Sequence, residues 1–515
     1  MLKLQMYLYL YALQSTPIWV MLALILSGFP LLGVLMKKRC QIQRRPPTPP
    51  KLPIIGNLHQ LGTLPHQSLA RLAEKYGPVM FLQLGFEPCL VISSTEAAKE
   101  ALKTHDIEYS SRPAAACIGK LTYNYADMAF TPYSEYWREM KKICIVELFS
   151  LKRVQSFRPV RNEMIDVLLE SLAISASKGE LVDLCRMNFE LNANITFEIA
   201  FGKSFKGSMM DGKGFQELLH ETTAMLGVFS AADFFPYVGW IYDKMIGLHS
   251  RLGMVFEKFD EFFRFVIEEH MRSEKARDDH EDIVDVLLRI QREHIPSGAT
   301  RFTMNNIKGI LTNIFLGGVD TIAVTTVWAL AELVKNPEVM KKVQDELRQC
   351  TTWKNGLNEK DIENLNYFKM VLKETMRLHP VAPLLVPRKT TANTQMFNYP
   401  NQEGTRVFIN AWAIARDPKK WKQPEKFIPE RFADSPIDYK GQHFEFLPFG
   451  GGGRICPGIN MAMATIELVL ANILYRFDWK LPDGMTLEEL NMEEGAGMTA
   501  FKKVLLKLLP INYQC

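Results

Sequence analysis

The 515-residue chain sets 61 lysines and arginines against 57 aspartates and glutamates, a net charge of +4, and is 47% hydrophobic. Such a balance excludes a nucleic-acid binder that works through a strongly basic surface, and a chain too polar to bury a core. Eight cysteines, at positions 40, 89, 117, 144, 185, 350, 456 and 515, lie without paired spacing, as in a reduced chain and not a disulfide framework. Length alone predicts two or more domains, but no low-complexity linker or internal repeat follows the N-terminal region, so one large domain is expected.

The 19 residues Ile18 to Met36 carry no charged side chain and are long enough to cross a hydrocarbon core of about 30 Å. Lys37, Lys38, Arg39, Arg44 and Arg45 follow as a stop-transfer flank, and no small-residue cleavage site does. Residues 1–45 therefore predict an uncleaved membrane anchor. Residues 46–53 hold Pro46, Pro47, Pro49, Pro50 and Pro53, a stiff proline-rich hinge before a catalytic domain over 54–515.

Apolar spacing then predicts a helix from Pro65 to Tyr76, two strands at Val79–Leu84 and Pro88–Ile92, and a helix opened by a Ser93-x-x-Glu96 capping box. Ser110–Ala129 has no clear period and is expected to be a long functional loop. Further helices are predicted at 133–147, 157–176, 187–201, 214–226, 244–272 and 282–292, giving a mainly α fold with a minor β-sheet. Within the first of these, Trp137 and Lys141 are four apart and share a face, in a stretch also holding Arg138 and Lys142. Alone, this basic face reads equally well as solvated surface.

Thr303 is expected to cap a helix running from Met304 to Lys335, roughly 48 Å at 1.5 Å per residue. Its middle reads Phe315-Leu316-Gly317-Gly318-Val319-Asp320-Thr321. Two glycines there cost about 1 kcal/mol each relative to alanine. Either the glycines permit close packing with Thr321 bonded back to the Gly317 carbonyl, or they widen the helix for a small ligand beside Asp320 and Thr321. Downstream, Glu374 and Arg377 sit at i, i+3 on one face, His379-Pro380 ends that helix, and Pro429-Glu430-Arg431-Phe432 follows.

The most specific stretch is Phe449-Gly-Gly-Gly-Gly-Arg-Ile-Cys-Pro-Gly458. Each part has a physical role if Cys456 is a thiolate bound to haem iron. Glycines let the backbone turn and approach a flat macrocycle, Arg454 can pair with a propionate, and Pro457 fits the first turn of the helix that follows. N–H groups there would stabilise the sulfur charge. A Walker loop would need Gly-Lys-Ser/Thr, and a zinc site would need neighbouring Cys or His ligands; neither is present.

The pattern Phe-x-x-Gly-x-Arg-x-Cys-x-Gly resembles the haem signature of the cytochrome P-450 family, and chain order resembles that family's fold from about Lys51 onward. The resemblance implies haem b with Cys456 as axial ligand and Phe449, Gly450 and Gly458 shaping its loop. It places Trp137, Lys141, Arg388 and Arg454 near the propionates, with Lys141 where the family usually has Arg and Arg138 or Lys142 open as the partner instead. It makes Asp320 and Thr321 the proton-relay pair, and Glu374, Arg377 and Arg431 a structural triad. Anchor, basic flank and hinge resemble endoplasmic-reticulum members, single-pass with a cytosolic catalytic domain, which would leave the Asn194 sequon unused.

Phrases such as Trp-Arg-Glu-Met-Lys-Lys resemble the plant branch of specialised metabolism. The expected function is a monooxygenase using O2, electrons from NADPH–cytochrome P-450 reductase, and a small apolar substrate. Two alternatives stay open: a member that dehydrates or rearranges its substrate, such as an aldoxime dehydratase, and a non-catalytic membrane haem-binding protein. By position in the family, substrate contacts are expected from 110–129, 226–237, 313–321, 381–386 and 497–500, including Phe229, Phe234, Phe235, Leu384, Leu385 and Met498.

Overall fold

A computed structural model describes residues 46–202, 212–228, 230–272, 281–293, 302–349 and 356–513. The anchor expected over 1–45 and Phe229 lie outside these. Two helices in one line, Met304–Gly318 and Asp320–Lys335, run through the middle of the described domain, and the other elements dock on them. Together they are 72% buried over their most apolar window. Among the described residues they alone are long and apolar enough to cross a membrane, which also fits a core helix.

Phe315 explains much of this docking. It is fully buried and stacks on Phe201 at 5.4 Å, with Phe263 at 6.2 Å. It thereby joins the helices Leu184–Phe201 and Leu248–Arg272 to the centre. A large buried aromatic of this kind costs about 3–5 kcal/mol when truncated to alanine. On the opposite side, Trp328 stacks on His379 at 3.9 Å, and His379 Nε2 meets Glu332 at 2.7 Å, seating the helix Asn366–Leu378.

The helix Pro65–Tyr76 and the strand Val79–Leu84 occupy the expected positions; the second strand is Glu87–Ile92. These strands pair antiparallel, the second runs parallel to Arg406–Ile409, and that strand pairs antiparallel with Arg388–Lys389. A second sheet joins Val182–Asp183, Lys507–Asn512 and Phe477–Lys480. Pro46 and Pro49 are buried, and the Pro47 carbonyl accepts from Phe81 N at 3.0 Å, so the proline run lies against the first sheet.

Four local expectations are corrected. The cap after the second strand is Ser94, whose hydroxyl accepts from Ala97 N at 3.3 Å, one residue beyond Ser93. The stretch Ser110–Ala129 contains a short helix, Ala116–Leu121. The helix expected over 244–272 is two, Gly239–Met245 and Leu248–Arg272, parted at Gly247, whose φ is +74°. The central helix breaks at Val319, where φ is −94° and ψ is −66°, directly after the two glycines.

The two ends of the domain meet at a buried carboxylate. Glu494 accepts from Trp412 Nε1 at 3.1 Å and Gln67 at 2.8 Å, and lies 2.6 Å from His66 Nε2. Burial alone would raise the Glu494 carboxyl, but His66, Gln67 and Arg416 outweigh it and hold it at about 2, below its usual 4.5. A depressed acid stabilises the fold above its unfolded value and loses that contribution as pH falls toward its folded value. The shift corresponds to about 3 kcal/mol, lost between pH 4.5 and about 2. Glu494→Gln should be less stable than the parent at pH 7 and should lose less of its stability below pH 4.5, read by denaturant unfolding at a series of pH values. Parallel pH curves for the two proteins would contradict this account.

Candidate functional site

Backbone geometry that only glycine adopts easily builds the cysteine loop. Gly450 and Gly452 have φ of +72° and +66°. A Cβ on Gly452 would lie 2.3 Å from Asp106 Oδ1 and from the Leu102 carbonyl oxygen, so a larger residue cannot sit there without displacing the loop. The Gly453 amide donates to Asp106 Oδ2 at 2.7 Å, and the Cys456 amide donates to the Phe449 carbonyl at 3.0 Å, closing the turn. Phe449 also packs edge-on against Tyr439 at 5.7 Å.

Helix Ile459–Arg476 starts after Gly458, so Pro457 occupies the turn before it and not its first turn. The amide expected to face the sulfur is that of Gly458. Burial pushes the Cys456 thiol up to about 11, and the Gly458 N–H opposes this without reversing it.

Around this loop the fold gathers four cations. Lys141 Nζ donates to the Gly453 carbonyl at 2.6 Å and lies 5.3 Å from the Trp137 ring centroid. Arg388 donates to the Gly451 carbonyl at 2.8 Å and to Asp106 at 3.2 Å. Arg454 donates to the carbonyls of Ser110, at 2.8 Å, and Thr131, at 2.7 Å, with its guanidinium 3.9 Å over the Trp137 ring. Arg112 donates to the carbonyls of Val386, at 2.6 Å, and Pro387, at 2.9 Å. Of the basic residues near Trp137, Arg138 instead pairs with Glu135 at 3.2 Å and Lys142 is exposed. Of these basic residues, Lys141 is the one that reaches the cysteine loop.

The charges do not balance locally. Burial and then Arg388 pull Arg454 down to about 9, and burial with Arg454 and Arg388 pulls Arg112 well below its usual range. Burial likewise lowers Lys141 and Arg388, against the opposing pull of Asp106. Asp106 and Asp127 are the acids that act on this group, and burial raises Asp127 toward its neutral form. A dianion held here would recover the cost of burying these cations. The two propionates of haem fit that description, and Cys456 is the thiol of this loop that could hold its iron.

Two main-chain contacts tie the central helix to this site. A Cβ on Gly309 would lie 2.6 Å from the Ala126 carbonyl oxygen, so the helix touches that backbone directly. One turn on, Asn313 Oδ1 accepts from the amides of Met128 and Ala129, both at 3.0 Å. The Met128 carbonyl in turn accepts from Trp137 Nε1 at 3.1 Å and Arg454 at 3.3 Å. The segment 127–131 therefore bridges helix and cysteine loop.

At the helix break the two glycines differ. A Cβ on Gly318 would meet Thr196 Oγ1 at 3.3 Å, whereas one on Gly317 would meet nothing within 4 Å. Gly318 serves packing and Gly317 leaves space. The Thr321 hydroxyl donates to the Gly317 carbonyl at 2.6 Å, and Asp320 Oδ2 accepts from the Thr499 hydroxyl at 2.7 Å. The bond from Thr321 back to the Gly317 carbonyl is thus as expected.

Glu374, Arg377 and Arg431 form one buried ion cluster. Glu374 receives two hydrogen bonds from Arg377, at 2.7 and 2.8 Å, and one from Arg431 at 2.9 Å. Arg377 also donates to the carbonyls of Ala415 and Pro424, and Arg431 to that of Lys422. The stretch from Ala415 to Arg431 is thereby fastened to the Asn366–Leu378 helix.

The cytochrome P450 family profile matches residues 46–508. The chain belongs to the cytochrome P450 family. It is 47% identical over 504 residues to Cytochrome P450 71B10 of Arabidopsis thaliana, covering 96% of this chain and 99% of that one. Cytochrome P450 71B26 of the same plant is 48% identical over 496 residues, again covering 96% and 99%. A zebra fish cytochrome P450 solved with progesterone is 26% identical, with a TM-score of 0.74 over 87% of this chain and 99% of that one. A zebra fish cytochrome P450 solved with abiraterone, 26% identical, gives a TM-score of 0.75 over 88% of this chain and 100% of that one. P450 proteins are haem-thiolate monooxygenases, oxidoreductases that take electrons from reductase-supplied NADPH.

Of the segments expected to meet a P450 substrate, the structure brings three together: Asp320 bonds Thr499, and the Ala500 amide donates to the Val381 carbonyl at 2.8 Å. Leu385, at φ +53°, approaches Gly450 of the cysteine loop. Phe234 and Leu384 instead pack against the first sheet's own small core, and Phe235 faces Phe86 at 6.1 Å. Sequence reasoning missed Arg112, Asp106 and Thr499. Arg112 carried a usable signal, as the lone charge between Glu108 and Lys120. Thr499 carried none, because its partner is 179 residues away.

Proposed function

We propose that this chain is a membrane-anchored P450 that inserts one oxygen atom from O2 into a small apolar plant metabolite. The observation that carries this reading is the cysteine loop enclosed by four buried cations, joined by 127–131 to a helix that breaks beside Asp320 and Thr321. Bound haem supplies the oxygen-activating chemistry. Cys456 would ligate the iron, with the Gly458 N–H tempering the sulfur's charge. Lys141, Arg388, Arg454 and Arg112 would receive the propionates, with Trp137 stacked beneath Arg454. Phe449 and Gly450 hold the loop's shape, and the triad of Glu374, Arg377 and Arg431 holds its support.

On the other side, Thr321 donates its hydroxyl proton to Gly317, so its oxygen lone pairs are presented as acceptors to water. Gly317 leaves room for that water, and Asp320 holds the proton to be passed on. Such a pair serves oxygen insertion and is not needed by a haem carrier or a dehydratase. The exposed Arg138 and Lys142 suit docking of an acidic NADPH–cytochrome P450 reductase.

Residues 1–45 would anchor the protein in the endoplasmic reticulum membrane. A second contact is supported by the exposed Tyr237, Val238, Trp240, Ile241, Met245 and Ile246, an apolar group with two aromatic side chains suited to a lipid interface. Deleting residues 1–36 should yield haem-loaded protein that still binds neutral phospholipid vesicles weakly, measured by flotation. Loss of haem incorporation despite good expression would refute the anchor assignment.

Cys456→Ser should abolish the red-shifted Soret band of the reduced carbon monoxide complex; its persistence would assign the ligand elsewhere. A panel of plant metabolites, screened by the optical spin-state shift of the haem, would identify a substrate. With that substrate, Thr321→Ala should keep haem and substrate binding while product per NADPH falls and hydrogen peroxide rises. General acid catalysis is typically worth about 10²–10⁴ in rate, so the loss should be plain. Unchanged product per NADPH would favour a dehydration or rearrangement instead.

A further inference from the structure

We infer that Thr499 is a positioning residue for Asp320, so that the turn Gly497–Ala500 is part of the proton-delivery apparatus. The inference rests on the proposed role of Asp320 and Thr321. Asp320 opens the helix Asp320–Lys335, and its Oδ2 accepts the Thr499 hydroxyl at 2.7 Å. Its neighbour Thr321 is anchored separately, by donation to the Gly317 carbonyl at 2.6 Å. The two members of the pair are therefore held by different parts of the chain, and the orientation of each is set independently.

Thr499 can do this because its own turn is fixed on both sides. Trp328, fully buried and two helical turns beyond Asp320, donates its indole N–H to the Ala500 carbonyl at 2.7 Å. The Ala500 amide donates to the Val381 carbonyl at 2.8 Å. Behind the turn, Gly227 lies so close that a Cβ there would meet Met498 N at 3.3 Å. The hydroxyl is presented to Asp320 by a rigid frame, built partly on the helix that carries Asp320 itself.

A hydrogen bond from a fixed donor favours some χ rotamers of a carboxylate side chain over others. Without the Thr499 hydroxyl, Asp320 should leave its place often enough to slow proton delivery by about tenfold, less than the 10²–10⁴ lost with a general acid itself. Met498 and Gly497 share the turn, so a ligand that shifts it also shifts Asp320. Thr499 thereby couples what binds at this turn to the chemistry at the helix break.

The test uses the full-length haem-loaded protein with reductase and NADPH and no added substrate, reading hydrogen peroxide released per NADPH. Thr499→Val keeps the shape and removes the donor; Thr499→Ser restores the donor with less bulk. The expected result is a rise in peroxide for Thr499→Val, most of it reversed in Thr499→Ser, with an unchanged Soret spectrum. Thermal unfolding of Thr499→Val, Asp320→Asn and the double variant supplies a readout independent of turnover. The double variant should lose less than the sum of the single losses, as groups in direct contact do. Additive losses would overturn the inference. A peroxide rise in Asp320→Asn but none in Thr499→Val would also overturn it, while leaving the proposed relay standing. No rise in either would overturn both.

Discussion

Lys141, Arg112, Arg388 and Arg454 repel one another, and the domain is arranged to keep them together. Arg454 shows the cost most directly, since burial and Arg388 hold it near 9. Each guanidinium is solvated by main-chain carbonyls in place of water: Ser110 and Thr131 for Arg454, Val386 and Pro387 for Arg112, Gly451 for Arg388. Carbonyl dipoles lower the desolvation penalty but do not cancel net charge. A bound dianion does, so cofactor and fold stabilise each other, as linkage requires of any ligand that binds only the folded state.

Keeping such a cluster in register demands stiffness behind it. On one side, Glu374 gathers two arginines in a site closed to water and fixes the chain that leads to the cysteine loop. Removing one member of such a cluster would leave buried charge unpaired, worth about 3–5 kcal/mol. On the other, Gly309 and Asn313, one helical turn apart, dock the central helix on 126–129. The cysteine loop is thus held from two sides, by the Glu374 cluster and by the central helix.

Regular elements were readable wherever one apolar face was buried against a neighbour. The helix Pro65–Tyr76 and the strand Val79–Leu84 came out with their observed bounds, because periodicity, Pro at the start and Gly at the end agree. The Glu374, Arg377 and Arg431 cluster was readable only through family resemblance; spacing showed the first two on a common face and nothing of the third. Breaks were harder. Val319 interrupts a helix whose apolar pattern continues on both sides, since both halves are largely buried. Gly247 parts two helices by a left-handed residue inside an unbroken amphipathic run. The cap at Ser94 was placed one residue early because only Ser93 has a Glu three residues on, whereas the observed cap has Ala97 there. Thr499 was invisible, being a single hydroxyl whose partner is distant in sequence.

The bridge at 127–131 works mainly through peptide groups. Met128 gives its amide to Asn313 and its carbonyl to Trp137 and Arg454; Ala129 gives its amide to Asn313 and its carbonyl to Arg112. Side-chain identity at 128 and 129 is not read by any of these bonds. Drift among homologous chains can therefore change both residues freely, within the volume available, with one prohibition. Proline lacks the amide hydrogen, so at either position it would remove one of the bonds that hold the helix to this bridge while leaving every recognisable motif of the family in place.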